Sequence, residues 1–335
     1  MLNGKTILIT GGTGSFGRQC TQMILNRYNP KRLIIFSRDE LKQFEMAQQF
    51  PRKDYPVRFF IGDVRDKERL SRAFQKVDIV IHAAAMKQVP TAEYNPTECI
   101  KTNVYGAENI INVAADRRVS KVLALSTDKA VSPVNLYGAT KLCAEKLFVA
   151  ANQYVTLDQT QFSICRYGNV IASRGSVIPL FLNLRKTGRI PITDTRMTRF
   201  WITLEQGVNF VLQCLARMNG GEVYVPKIPS MNIMDLAKSL CPECEIDIIG
   251  IRPGEKLHEV MVSVDDAHRT LEFDDHFLIL PSFTTLDFRF KDLCGKPVSE
   301  RFEYNSGTND HWLSTNELVK LAGVIPSDSL RPAVD

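Results

Sequence analysis

The stretch that most constrains the fold is an apolar run, Thr6–Thr10 (TILIT), running straight into Gly11-Gly12-Thr13-Gly14-Ser15-Phe16-Gly17. A short strand-like run ends in a glycine-rich turn, and a helix-like segment follows. Gly11 suits a tight turn, Gly14 lets a bound group approach the backbone, and Gly17 lets the helix pack closely on a sheet. The first N–H groups of a helix opened this way have no intrahelical acceptors and suit an anionic phosphate. The spacing is G-x-x-G-x-x-G, so the turn's place between strand and helix carries the reading.

The same alternation continues through the first half. Arg32–Phe36, Val57–Ile61, Ile79–His82 and Lys121–Leu125 are short, nearly all-apolar runs, as strands buried on both faces must be. Between them lie segments with apolar residues at helical spacing, as in Asn103–Ala115. This predicts an α/β chain: a Rossmann-type, doubly wound parallel sheet with a smaller α/β substrate-binding domain. The expected division is a dinucleotide-binding domain over 1–170, with 200–222 returning to it. Residues 171–199 and 223–290 would form the smaller domain, and 291–335 a tail packing on the body. Leu204–Met218 reads as an amphipathic helix, and Asn232 as the cap of a helix through Leu240.

Composition narrows the class. The chain has 335 residues, enough for two domains, with 44% hydrophobic and 24% charged residues, which excludes disordered and collagen-like chains. A net charge of +5 is too small to argue for nucleic acid. No apolar run approaches the ~18 residues of a membrane span. No signal peptide is expected, because the Met1-Leu2-Asn3 opening runs directly into a strand-like run; the 8 cysteines are scattered, several of them in apolar runs. A cytoplasmic protein with reduced thiols is expected.

The glycine turn predicts that Gly11, Thr13, Gly14, Ser15, Phe16 and Gly17 cradle a dinucleotide. After the second strand come Ser37, Arg38 and Lys42, which favour the 2′-phosphate of NADP; Asp39 beside them keeps NAD open. Asp63 and Val64, after the third strand, and Ala83, after the fourth, are further cofactor candidates.

The fifth strand runs into Ser126-Thr127-Asp128-Lys129, with Tyr137-x-x-x-Lys141 beyond it. Tyr137 and Lys141, four apart, share a helix face. A phenol, with an ordinary pKa of about 10, needs a neighbouring ammonium and an oxidised nicotinamide to become a base at neutral pH. It can then take a proton from a sugar hydroxyl while the carbon hydride leaves. Asp128 and Lys129 add an acid and a base that a plain alcohol dehydrogenase does not need.

The segments TGGTGSFG, FSRDELKQ, AAAMKQVP, STDKAVSPVNLYGATK, RYGNV, MTRFWIT and RPGEK, spanning residues 10–256, resemble the extended short-chain dehydrogenase/reductases. Within them the chain is similar to the inverting UDP-N-acetylglucosamine 4,6-dehydratases, the type that opens pseudaminic acid biosynthesis. The resemblance implies that Thr127 orients the substrate, Tyr137 and Lys141 oxidise C4, and Asp128 with Lys129 dehydrates. Elimination across C5 and C6 needs a base for the C5 proton and an acid for the 6-hydroxyl. Lys129 as base and Asp128 as acid fit if their pKa values are perturbed, that of Lys129 downward. Lys129 stands where related retaining dehydratases carry Glu, which points to inversion at C5. A retaining dehydratase, a UDP-sugar 4-epimerase and a non-catalytic dinucleotide-sensing scaffold are the competing readings.

For the UDP-N-acetylhexosamine, Arg199 and Arg252 are candidates for the pyrophosphate. The resemblance implicates Glu255 in holding ribose, and Lys87 and Asn169 in substrate binding; Arg174 lies in a loop that could close on the nucleotide. It also implies a homo-oligomer. Cys241-Pro242-Glu243-Cys244 has zinc-like spacing without a matching second pair, so incidental thiols are expected. His258-Glu259 lacks the second His of a zinc-protease helix and receives no role.

Overall fold

The computed structural model describes residues 1–155, 159–171, 177–282, 290–314, 317 and 321. The chain begins β1 (Thr6–Thr10), α1 (Ser15–Arg27), β2 (Arg32–Ser37), α2 (Glu40–Gln49), β3 (Val57–Ile61), α3 (Lys67–Ala73) and β4 (Ile79–His82). Short helices α4 (Val89–Tyr94) and α5 (Pro96–Ile100) lead through a π-type turn into α6 (Gly106–Asp116). Then come β5 (Lys121–Thr127), a 3-10 turn over Asp128–Ala130, α7 (Leu136–Tyr154) and β6 (Gln161–Tyr167). The predicted strands and the Tyr137–Lys141 helix form where expected.

The second half is built of shorter pieces. It runs β7 (Asn169–Val170), α8 (Val177–Leu184), β8 (Arg189–Ile192), β9 (Thr198–Ile202), α9 (Leu204–Arg217) and β10 (Val223–Pro226). β11 (Ser230–Asn232), α10 (Ile233–Leu240), β12 (Glu245–Ile248), β13 (Val260–Val262) and α11 (Val264–Ala267) follow. The last described elements are β14 (Thr270–Glu272), β15 (His276–Ile279), β16 (Lys296–Pro297) and β17 (Tyr304–Asn305). Asn232 caps α10 through the Met234 N–H at 2.7 Å, as its residue type predicts. Among the described residues no helix is long and apolar enough to cross a membrane.

One sheet of 10 strands dominates, in the order β3-β2-β1-β4-β5-β6-β10-β15-β14-β16. The strands from β3 to β10 pair in parallel, and the last three add antiparallel. Helices pack in two groups, α1 with α9 and α3 with α6 and α7, the layers of a doubly wound α/β sheet. The order steps outward from β1 in both directions, so ligands belong at the carboxyl ends of β1 and β4. A second apolar core gathers Ile178, Phe181, Trp201, Met231 and Leu236 around α8, β8 and α10.

The expected boundary at 223 needs correction. Residues 223–290 were assigned to the smaller domain, yet β10, β14 and β15 extend the large sheet. Val223 pairs with Ile164 and Tyr224 with Cys165, a non-local register that strands this short cannot announce in sequence. In the expected tail, β16 lies on the edge of the large sheet and β17 pairs with β13.

Two devices fix α7 against the sheet. Arg166 on β6, buried, grips Glu145 of α7 with both ends of its guanidinium at 3.1 and 2.6 Å, and donates to the Met261 carbonyl at 2.6 Å. At the other end a Cβ on Gly138 would overlap the Lys129 carbonyl, so only glycine lets α7 close on the 3-10 turn. We predict that Gly138→Ala destabilises the protein by about 1–3 kcal/mol. Equilibrium denaturation checks this; an unchanged midpoint would mean that the contact is not tight.

Candidate active site

A cleft of about 1020 Å³ opens over the carboxyl ends of the central strands. At its floor Gly11 turns with φ +63, and a Cβ there would come within 2.9 Å of the Ala84 backbone. α1 starts at Ser15 without a side-chain cap, so its first N–H groups face the cleft beside Gly14 and Phe16. Thr13 is hydrogen-bonded to Ser37 at 2.8 Å, which joins the turn to the end of β2. Gly17 does not line the cleft; it lets α1 pack on the Gly12 carbonyl. Together the glycine turn and the start of α1 form one end of the cleft floor.

Ser37, Arg38, Lys42, Asp63, Val64 and Ala83 also reach the cleft. Asp39 caps α2 by accepting the Lys42 N–H at 2.9 Å and pairs with the Lys42 ammonium. Burial would raise Asp63, but hydrogen bonds from Arg65 and the Arg38 charge hold its carboxyl below the ordinary range.

The catalytic candidates sit where β5 ends. Thr127 receives the Lys129 N–H at 3.4 Å, which starts the 3-10 turn, and its hydroxyl donates to Asp128 Oδ1 at 2.9 Å. Asn135 opens α7 by accepting the Gly138 N–H at 2.7 Å, and its amide donates to the Gly254 carbonyl at 2.8 Å. That brings the Arg252–Lys256 loop to the cleft. One turn apart, Tyr137 and Lys141 both face in. Thr127 and Lys129 line the cleft with them; Asp128 is fully buried and does not.

The charge states differ from expectation. Lys129 was expected to have a depressed pKa. Its ammonium instead lies 3.1 Å from Asp128 Oδ1 and 3.0 Å from Glu259 Oε1. Burial alone would lower it, but the two carboxylates outweigh burial and push it well above the ordinary lysine value. Burial, with the Glu259 charge, raises Asp128, as an acid requires. Burial likewise pushes Tyr137 up to about 12, although the Lys129 charge pulls down. Lys141 is brought down to about 8 by burial, and its ammonium donates to the Leu125 carbonyl at 2.7 Å. At neutral pH Tyr137 is thus a phenol and Lys129 an ammonium.

Lys87, Asn169, Arg252 and Glu255 line the same cleft, while Arg174 lies outside the described residues. Arg199 lines the cleft as well. Its guanidinium is buried and donates to the Thr198 carbonyl at 2.7 Å and the Leu257 carbonyl at 3.2 Å, with Glu259 at 3.7 Å.

Glu259 and Lys256 were missed in sequence. Glu259 is 1% exposed, reaches the cleft wall, and keeps Oε2 without a partner. Only its distance from Lys129 in sequence hides it. The Cys241 thiol donates to the Phe181 carbonyl and Cys244 to that of Arg185; among the described residues no group of His, Cys, Asp or Glu could hold a metal ion.

Comparison with known proteins agrees with this architecture. A family model described as "Polysaccharide biosynthesis protein" matches residues 7–281. A UDP-N-acetylglucosamine 4,6-dehydratase (inverting) of Campylobacter jejuni subsp. jejuni serotype O:23/36 (strain 81-176) is 57% identical over 329 residues, 96% of this chain and 98% of that protein. A UDP-glucose 4-epimerase of Rickettsia canadensis (strain McKiel) is 43% identical, covering 83% of this chain and 84% of its own. The X-ray structure of Pen from Bacillus thuringiensis superposes with a TM-score of 0.87 at 35% identity, over 97% of this chain and 98% of that one. The chain belongs to the polysaccharide biosynthesis protein family, in the group that includes the inverting UDP-N-acetylglucosamine 4,6-dehydratase of Campylobacter jejuni.

Proposed function

We propose that the protein is an inverting UDP-N-acetylglucosamine 4,6-dehydratase. Its product would be UDP-2-acetamido-2,6-dideoxy-β-L-arabino-hex-4-ulose, the first step towards pseudaminic acid-type sugars. The observation that carries the reading is the Asp128–Lys129 pair at the end of β5, beside Tyr137 and Lys141 in one cleft. Kinship with the Campylobacter jejuni enzyme supports it.

The cradle at Gly11–Phe16 fits a nicotinamide dinucleotide, which would supply hydride uptake at C4 and hydride return at C6. We read it as NADP, because Ser37, Arg38 and Lys42 line the cleft, and the carboxylate that lines it beside them, Asp39, is paired with Lys42. Tyr137, which first gives its own proton to solvent under the pull of nearby cations, takes the 4-hydroxyl proton at Oη. The resulting 4-keto group acidifies the C5 proton, which passes to Lys129. Asp128 gives a proton to the departing 6-oxygen. Since Asp128 itself is covered, the Thr127 hydroxyl, which touches both Asp128 and the cleft, relays the proton: it turns to give its own proton to the 6-oxygen as it accepts the one from Asp128. Reprotonation at C5 from the opposite face inverts that centre. We read Arg252 and Glu255, with Asn169 and Lys87, as the residues that hold the UDP-sugar, since all four line the cleft.

Incubation with UDP-N-acetylglucosamine in D2O, followed by NMR, is expected to show a 4-keto-6-deoxy sugar with L-arabino couplings and deuterium at C5. A C4 epimer without deuterium would make the protein an epimerase. Lys129→Ala is expected to lower dehydration by about 10²–10⁴-fold, as is Tyr137→Phe for C4 oxidation. Wild-type turnover in either variant removes that residue's role. Arg38→Ala is expected to raise KM for NADP by about tenfold and leave KM for NAD in place, since one charged hydrogen bond is lost. Equal effects on both cofactors would contradict the NADP reading.

A further inference from the structure

Lys129 presents a chemical problem. An ammonium bonded to two carboxylates has no lone pair with which to take the C5 proton. It can serve as base only if one of its own protons moves elsewhere at the same time. Of its two acceptors, Asp128 is committed to giving a proton to the leaving oxygen. Glu259 is the other, with Oε1 3.0 Å from the Lys129 nitrogen.

Glu259 is held for this contact. Its backbone N–H donates to Ser306 Oγ at 2.9 Å, and Ser306 is bonded to Thr198 at 2.7 Å. β13, directly after Glu259, pairs with β17. Its carboxylate faces Lys129 and, at 3.7 Å, Arg199. Oε2 is buried and unpartnered. A carboxylate so placed, and absent from any sequence motif, is not explained by packing alone: burying a charged group with an idle oxygen is costly.

We propose that Glu259 is the acceptor that lets Lys129 act as base: as Lys129 Nζ takes the C5 proton, it passes one of its own protons to Glu259 Oε1. The inference rests on the dehydratase reading above. In the elimination step the C5–H bond breaks and a new N–H bond forms. Another N–H bond breaks and an O–H bond forms on Glu259. The C5–H electron pair becomes the C5=C6 double bond, the C6–O bond breaks, and the oxygen leaves as water with the proton from Asp128. Charge is conserved: Glu259 becomes neutral as Asp128 becomes ionised, and Lys129 stays an ammonium. Glu259 acts through Lys129, so it is a positioning residue.

The charged surroundings support this direction. Burial would raise Glu259, but Lys129, Arg199 and Lys256 keep it below the ordinary range and ionised at rest. Asp128, facing Lys129, Glu259, Tyr137 and Arg166, is shifted the other way. Two carboxylates pushed apart around one cation divide into donor and acceptor.

The test compares wild type with Glu259→Gln at pH 7 and pH 9, on UDP-N-acetylglucosamine with NADP bound. C4 oxidation is read as reduced cofactor in a single turnover, and dehydration as the 4-keto-6-deoxy product by NMR. In E259Q, C4 oxidation is expected within about threefold of wild type, while dehydration falls about a hundredfold or more at pH 7. Reduced cofactor then accumulates. Dehydration recovers in part at pH 9, where solvent takes over removal of the Lys129 proton; a merely structural defect would not recover. Dehydration near the wild-type rate overturns the inference, as does a parallel loss of both half-reactions without recovery. If E259Q does not fold, Glu259→Asp carries the test: dehydration should slow more than C4 oxidation, and equal slowing overturns the inference. If the wild-type protein itself forms no 4-keto-6-deoxy sugar, the dehydratase reading falls and the inference with it. If only E259Q behaves as wild type, the inference alone falls.

Discussion

The structure turns on one ammonium shared by two carboxylates. Lys129 lies between Asp128, its neighbour on the turn after β5, and Glu259, which leads into β13. Arg199 of β9 approaches the same Glu259. Three segments far apart in the chain thus meet at one charge cluster. Its burial is expensive, since each ion loses water, and the attraction among its members offsets that cost only if the geometry is held.

The scaffold holds it. The large sheet fixes the end of β5, and the Thr127 hydroxyl shapes the turn. Asn135 ties the start of α7 to the Arg252–Lys256 loop, and Gly138 lets that helix close on the turn. Arg166 clamps α7 to β6 and to the segment after Glu259. From the far side Ser306, beyond the span matched by the family model, secures the Glu259 backbone. Catalytic groups are therefore placed by rigid elements on several sides, which is what pre-organised proton transfer needs.

Much of this was legible in sequence. The strands from β1 to β5 are apolar runs broken by glycine or polar turns, and the glycine cradle follows β1 directly. Tyr137 and Lys141 share a face by helix geometry alone. What escaped is tertiary. The strands β10, β14 and β15 are three or four residues long, and only register shows that they join the large sheet. The carbonyl partners that hold the Arg199 guanidinium are likewise visible only in the structure. Lys129 looked like a lysine free to lose its proton, because Asp128 was visible beside it and Glu259 was not. A pKa belongs to a site rather than to a residue type, and Asp128 and Glu259 together reverse the sign of the expected shift.

The central claim is that the resting site holds its proton on Lys129 and keeps Glu259 ready to receive one. Neutron diffraction from deuterium-exchanged crystals at neutral pH tests it most directly. The account predicts a fully deuterated ammonium at Lys129 Nζ and no deuteron on Glu259. A neutral amine at Lys129, or a deuteron already on Glu259, would contradict it.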